Sequence, residues 1–389
     1  MDPRPAATVD RVGDATDVVA PPDRVRLSCR ERLIVSSSAA ADIGLRTAAA
    51  SLVTAVAAPV ALSPGRMRQE RRNLRFYGEL AEAGDAARSF PRPTTAVDVT
   101  VGRPDRWAYR PPDGHLELLR FESPFVAQNP ELRDRYARFH RNRTAWAQYW
   151  RHDDGPRPTL CVIHGFMASP YWLNRAFFSL PWFYGHGYDV LLYTLPFHGL
   201  RRSPLTSFNG QGYFAHGIAH FNEAMAHALH DLRLFLDHLE AGGVERIGLT
   251  GLSLGGYTTA LLAAVEDRLH IAIPNAPVIN LVDLVGQWFP AGPLLNVALR
   301  LHRISTDGVG QAVAVHSPLT YAPVVPVERR MIIGGLGDRL APPDHSRQLW
   351  HHWDHCRLHW FLGTHTIHID RGVYLKEMGR FMVAAGFAA

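Results

Sequence analysis

The sequence predicts a doubly wound α/β fold built on a mostly parallel sheet. Two observations carry this. Apolar runs of strand length at Leu160–Ile163, Val190–Tyr193, Ile247–Thr250, Ile271–Ile273, Met331–Ile333 and His359–Leu362 alternate with helical patterns such as Phe214–Leu239 and Tyr257–Val265. The runs are apolar throughout instead of alternating, which suits parallel strands buried on both faces and joined by helical crossovers. Several runs end in glycine-containing turns that carry serine, aspartate or histidine. In such sheets ligands gather at the carboxyl ends of the strands.

Composition supports an ordinary globular chain of 389 residues, 47% hydrophobic and 20% charged, with 32 Gly and 28 Pro. It argues against disorder, collagen and coiled coil. The net charge is +5, and Lys376 is the single lysine. A GxxxxGK phosphate loop is therefore excluded, and Lys376 alone could form a Schiff base. Cys29, Cys161 and Cys356 lie far apart, with no CxxC pair and no disulfide framework. Met1–Arg26 mixes Asp, Arg and Pro without an apolar core and does not read as a signal peptide. Thr47–Leu62 is uncharged but shorter than the roughly 20 residues that span a bilayer. A soluble, cytoplasmic protein is the expectation.

Residues 1–35 read as loosely structured. A helix is expected over Ala39–Leu62, stopped by Ser63-Pro64-Gly65, and a second over Arg66–Ala87. The second opens with Arg66, Arg68, Arg71, Arg72 and Arg75 and has an apolar stripe of Leu74, Tyr77 and Leu80. Such a helix is compatible with peripheral membrane contact, although a solvated face over a packed helix is the plainer reading. No nucleic-acid-binding motif accompanies it. Pro91-Arg92-Pro93 and Pro111-Pro112-Asp113-Gly114 mark a linker.

The sharpest chemical signal is Gly251-Leu252-Ser253-Leu254-Gly255-Gly256, directly after one strand and before a helix. A nucleophile on a strained strand-to-helix turn needs small neighbours, and the turn aims the following N–H groups at developing negative charge. Upstream, a strand runs into His164-Gly165-Phe166-Met167. The N–H groups of Phe166 and Leu254 are the candidate oxyanion donors; losing one such donor costs about 10²–10³ in rate. His164 is expected to brace this loop instead of acting as a base. Downstream, Asp338 follows one strand and His365 the next, each through a glycine-containing turn. An acid so placed can orient a histidine and stabilise its imidazolium.

The segments HGF at 164–166, PFHG at 196–199, GLSLGG at 251–256, GLGD at 335–338 and GTH at 363–365 make residues 116–389 resemble the α/β-hydrolase superfamily. That resemblance implies an eight-stranded, mostly parallel sheet and a Ser253–Asp338–His365 triad, with backbone donors from Phe166 and Leu254. A serine at the elbow is similar to esterases, lipases, thioesterases and peptidases, and unlike haloalkane dehalogenases. Residues 1–115 stand outside the resemblance as an N-terminal, partly helical extension. They hold no triad candidate and are expected to serve stability, assembly or membrane contact instead of chemistry.

The expected reaction is cleavage of a carboxylic ester, on a small-molecule or lipid substrate, without a cofactor, metal or nucleic acid. An acyltransferase with the same triad, or a non-catalytic binding protein on the same fold, are the alternatives. The segment 278–325 is expected to be a cap; Leu284, Trp288, Phe289, Leu294, Leu295, Val297, Leu299 and Leu301 would favour an apolar acyl group there, with core packing as the rival. Asp283 is the reserve triad acid. His351 with His355, and His216 with His220, have i, i+4 spacing that could hold a metal, but no HExxH or similar motif supports one. Of the two C-terminal histidines, His365 is preferred as base. His368 reads as a capping-loop or partly exposed residue near Asp370, the expected cap of the final helix.

Overall fold

The computed structural model describes residues 27–104, 108–369 and 371–388. The expectations for Met1–Arg26 and for Asp370 lie outside the described residues. Among the described residues nine strands form one sheet: β1 (Thr100–Gly102), β2 (Gly114–Glu122), β3 (Thr144–His152), β4 (Thr159–Ile163), β5 (Asp189–Thr194), β6 (Ile247–Leu252), β7 (Leu269–Asn275), β8 (Met331–Gly335) and β9 (Arg357–Phe361). Their order is β1-β2-β3-β5-β4-β6-β7-β8-β9. From β5 to β9 every pairing is parallel, and β1, β2 and β3 join antiparallel. Beyond the expected eight strands there is one short edge strand, β1. Every residue of β4, β5, β6 and β8 is buried, which explains their unbroken apolar runs. By contrast β2 and β3 interleave exposed or half-exposed polar residues, including Glu117, Arg120 and Arg151, so no continuous run marks them.

Helices α1 (Cys29–Ala61), α2 (Pro64–Glu82) and α3 (Ala86–Ser89) precede the sheet. Residues 29–38 are helical, not loose, because Ser28 and Glu31 form a capping box: Glu31 N donates to Ser28 Oγ and Ser28 N to Glu31 Oε2. The resulting helix of 33 residues contains a window long and apolar enough to cross a membrane by length and composition. The shorter stretch Thr47–Leu62 captured only part of it. Where a single helix to Ala87 was expected, α2 stops at Glu82, and Asp85 caps α3 through its bonds from Ala87 N and Arg88 N.

After α4 (Arg133–Ala137), α5 (Tyr171–Phe177), α6 (Leu180–Gly185) and α7 (Gln211–Phe214), the long α8 (Ile218–Ala241) and α9 (Leu254–Val265) cover one sheet face with a core that includes Leu232, Phe235 and Leu261. Between β7 and β8 lie α10 (Leu281–Gln287), α11 (Ala291–His302) and α12 (Thr306–Ala314), in the expected cap segment. Then α13 (Pro343–His352) precedes β9, and α14 (Arg371–Ala384) packs on the other face with Phe183, Met378 and Phe381.

The N-terminal helices are built into this body. Leu74, Tyr77 and Leu80 of α2 are buried as the stripe predicts, while its five arginines are exposed. Tyr77 donates its hydroxyl to Glu223 of α8 at 2.6 Å, and Glu223 also accepts from Gln128 N and Asn129 N at 2.8 Å. Glu70 Oε1 accepts from Ala219 N at 2.8 Å, so a buried carboxyl of α2 meets the first turn of α8. That placement satisfies an orphan N–H and complements the helix dipole.

Candidate active site

Ser253 links β6 to α9 with φ 56° and ψ −112°, a strained turn for a residue with a side chain. Its backbone is tied down: Ser253 N donates to Asn275 O at 3.0 Å, and Tyr257 N donates to Ser253 O at 2.8 Å. Two residues on, Gly255 passes the end of β4 so closely that a Cβ there would lie 2.1 Å from Ile163 O. Only glycine lets α9 start against that strand.

The turn after β4 brings its own brace. His164 Nδ1 lies 2.8 Å from Gly165 O, and Leu195 N donates to His164 Nε2 at 3.1 Å. Burial holds this imidazole down to about 4, so it is neutral and joins the loop to the chain after β5. His198 acts similarly, with Nδ1 2.8 Å from Pro196 O while Nε2 accepts from Met167 N at 3.4 Å. Burial pushes it well below the ordinary histidine value. His198 belongs to the PFHG segment, which sequence reading used only as a family marker. Among the described residues, the N–H groups of Phe166 and Leu254 donate to no acceptor.

Asp338 follows β8 and His365 follows β9, so both share the carboxyl edge of the sheet with Ser253. His365 Nδ1 is 2.6 Å from Asp338 Oδ2, and Asp338 Oδ1 accepts from Leu340 N at 2.9 Å and Ala341 N at 2.7 Å. The two loops are stitched by Gly337 N donating to Gly363 O at 2.8 Å. Gly363 takes φ 129°, which turns the chain back toward the edge. Burial disfavours the imidazolium of His365, but the carboxylates of Asp338 and Asp42 together outweigh it and raise the histidine above its ordinary value. The fold thus joins Asp338 to His365 and brings Ser253 to the same edge. Among the described residues no hydrogen bond joins Ser253 to His365; nucleophile–base bonds often close only with substrate.

No protein-family model matches the chain. It is 30% identical over 301 residues to an uncharacterized protein of Mycobacterium tuberculosis, spanning 75% of this chain and 69% of that one. Among solved structures it is similar to acetyl xylan esterase 1 of Thermoanaerobacterium sp. JW/SL YS485, with TM-score 0.53 and 14% identity over 79% of this chain and 93% of that one. It is equally similar to the acetyl xylan esterase of Paenibacillus sp. R4, with TM-score 0.54 and 14% identity over 79% and 94%. The chain belongs to one family with that mycobacterial protein, and its fold is that of the α/β-hydrolases.

Several expectations for this α/β-hydrolase fold need correction. Asp283 is exposed in the first turn of α10, where it bonds Asn280, and does not reach the Asp338–His365 pair. His368 is buried, not exposed: its ring packs 4.1 Å from Phe361 and 5.0 Å from Phe177, and Nδ1 is 3.3 Å from Tyr374 Oη. His351 and His355 pair at 3.2 Å, but no third metal-ligating side chain joins them among the described residues. His216 precedes α8 instead of lying on it, and packs with His220 against Phe139. The residue that sequence reading missed altogether is Asp42 of α1. Its Oδ2 accepts from His365 N and from Arg339 N, each at 3.0 Å.

The expected cap segment does not stand alone over the core. Together α1, α2, the α7–α8 corner and α10–α12 line a partly open apolar cavity of about 170 Å³, with Val53, Leu74, Phe221, Leu281, Leu295 and Leu299 among its walls. Phe289, Val297 and Leu301 point outward instead. No triad candidate lines the cavity. Among the described residues Glu70 is its one carboxylic acid, and burial lifts that carboxyl to about 7.

Proposed function

We propose that this chain of α/β-hydrolase fold cleaves a carboxylic ester with an apolar acyl group through an acyl-enzyme on Ser253. The observation that carries the reading is the 2.6 Å contact between His365 Nδ1 and Asp338 Oδ2, at the same sheet edge as a strained Ser253. In this reading Ser253 Oγ bonds the acyl carbon and its proton passes to His365 Nε2. That proton then leaves with the alcohol oxygen. A water attacks the acyl-enzyme by the same route in reverse, releasing the acid and restoring Ser253. The N–H groups of Phe166 and Leu254 hold the oxyanion. That the two fold neighbours are acetyl xylan esterases accords with ester chemistry.

The apolar cavity supports an acyl chain as the group held beside the site. The outward side of α1 supports contact with a lipid surface: Leu33, Ile43, Leu45 and Leu52 are exposed there, and α2 exposes Arg66, Arg68, Arg71, Arg72 and Arg75. The test of the reaction is fluorophosphonate labelling with turnover of p-nitrophenyl esters. Wild type should label and turn over, and folded Ser253→Ala should do neither. Equal labelling of the two would end the proposal.

A further inference from the structure

The N-terminal extension reaches the acid–base pair through one side chain. Asp42 sits in the middle of α1 and is fully buried. A single oxygen, Oδ2, accepts from the N–H of His365 and from the N–H of Arg339, the residue after Asp338, both at 3.0 Å. The other oxygen, Oδ1, is buried and has no hydrogen-bond partner among the described residues. One turn on, Arg46 Nη1 donates to Arg339 O at 3.3 Å, so α1 grips the Asp338 loop by both its N–H and its carbonyl. Val35, two turns before, lies close against Gly337 in the same loop. A buried carboxylate is costly unless its charge is used or paired. Two backbone amides alone could be held by a neutral acceptor, which makes the choice of aspartate informative.

We propose that Asp42 is a positioning residue for His365: from α1 it fixes the two loops that carry Asp338 and His365, and it adds negative charge to the field in which the imidazole takes up a proton. This rests on the esterase reading given above. The groups that act on His365 are Asp338 from the β8 end, Asp42 from α1 and His368 from its own loop. Burial opposes the charged imidazole; Asp338 favours it most strongly and Asp42 adds to that, while His368 is held neutral by its own burial. When His365 takes the proton of Ser253, Asp42 thus stabilises the ion pair that Asp338 orients.

Asp42→Asn in the full chain separates the two parts of this role, because the amide oxygen can still accept from both N–H groups while the charge is gone. The expected result is a folded protein whose plateau kcat/KM for a p-nitrophenyl ester falls about tenfold, the scale of one partly screened charge interaction. The acid limb of its pH profile should move to lower pH, and Asp42→Glu should return the limb toward wild type. An Asp42→Asn profile that superimposes on wild type overturns the proposal. The His365 ring titration, followed by NMR and assigned against His365→Ala, reads the same field without turnover. If wild type hydrolyses no ester, the esterase reading fails, yet a lower titration midpoint in Asp42→Asn still supports the placement of Asp42 and an unmoved one still overturns it. Asp42→Ser is prepared alongside; if neither neutral variant folds, Asp42 is a fold determinant and its role as a positioning residue is overturned.

Discussion

Phe214 sets its ring edge-on against Phe166, with 5.1 Å between centroids. Phe214 lines the apolar cavity, and Phe166 carries a candidate oxyanion donor. The cavity therefore approaches the reacting edge through one aromatic contact. Specificity should follow from that contact. Across p-nitrophenyl esters kcat/KM is expected to rise by up to about fourfold per added methylene, from ~0.8 kcal/mol per buried CH₂, until the cavity is filled. Val53→Phe should shift the optimum to shorter chains, read as a change in chain-length profile. A flat profile in both proteins would separate the cavity from the acyl group.

The pH dependence follows from His365. As the proposed base, His365 works only when neutral, and Asp338 with Asp42 holds it protonated to higher pH than an ordinary histidine of 6.5. Activity should therefore rise with pH through a midpoint above 6.5. Asp338→Asn should lower that midpoint and the plateau together, by up to about 10⁴ in kcat if the imidazole is misoriented. A pH series of kcat/KM for both proteins decides it.

The two C-terminal histidines should separate cleanly. His365→Ala is expected to lower kcat by about 10⁴ or more. Removing the His368 ring instead leaves a gap against Phe361, Phe177 and Tyr374, costing about 1–3 kcal/mol of stability with much smaller loss of kcat. Denaturant melts and steady-state kinetics on both variants read the difference.

Glu70 makes stability depend on pH. Burial lifts its carboxyl from 4.5 to about 7, against the opposing bonds from Ala219 N and Ile218 N. The folded chain keeps a proton that the unfolded chain releases between those values. Its contribution to stability is thus full below pH 4.5, falls as pH rises to about 7 and stays low above, a span on the order of 3 kcal/mol. Glu70→Gln removes the span. Its Tm should exceed wild type at pH 8 and approach it near pH 4.

The proposed membrane contact would carry a salt signature. Binding to vesicles containing anionic lipid should weaken as salt rises, and replacing Arg68, Arg71 and Arg72 with Gln should weaken it further, by about 1 kcal/mol per charge near the surface. Co-sedimentation with neutral vesicles gives the comparison.

The parallel strands were legible because continuous apolar runs are needed where both faces are buried, and the glycines of 251–256 and 363–365 were legible because the backbone crowds there. The antiparallel strands β2 and β3 were not, since one solvated side breaks their runs with Glu117 and Arg151. The start of α1 was readable in Ser28 and Glu31 as a cap, a signal that the scattered charges of residues 1–35 concealed. Asp42 offered less. Its partner amide at His365 is 323 positions away along the chain, and the one local cue is a single acid amid the uncharged stretch Ser36–Leu45. His198 was visible as part of PFHG, but its bond from Met167 N depends on how two loops meet.

Helix α1 is one continuous rod that holds Asp42 and, eleven residues on, Val53; the rise of an α-helix sets those positions about 16 Å apart. One end of that span grips the acid–base loops and the other walls the cavity. A lever follows from this arrangement. A rigid tilt of α1 about a point between the two would move its ends in opposite senses, so the cavity wall and the Asp42 contact cannot shift independently. Shortening the chain to the sheet and its crossovers would remove both ends of the lever at once.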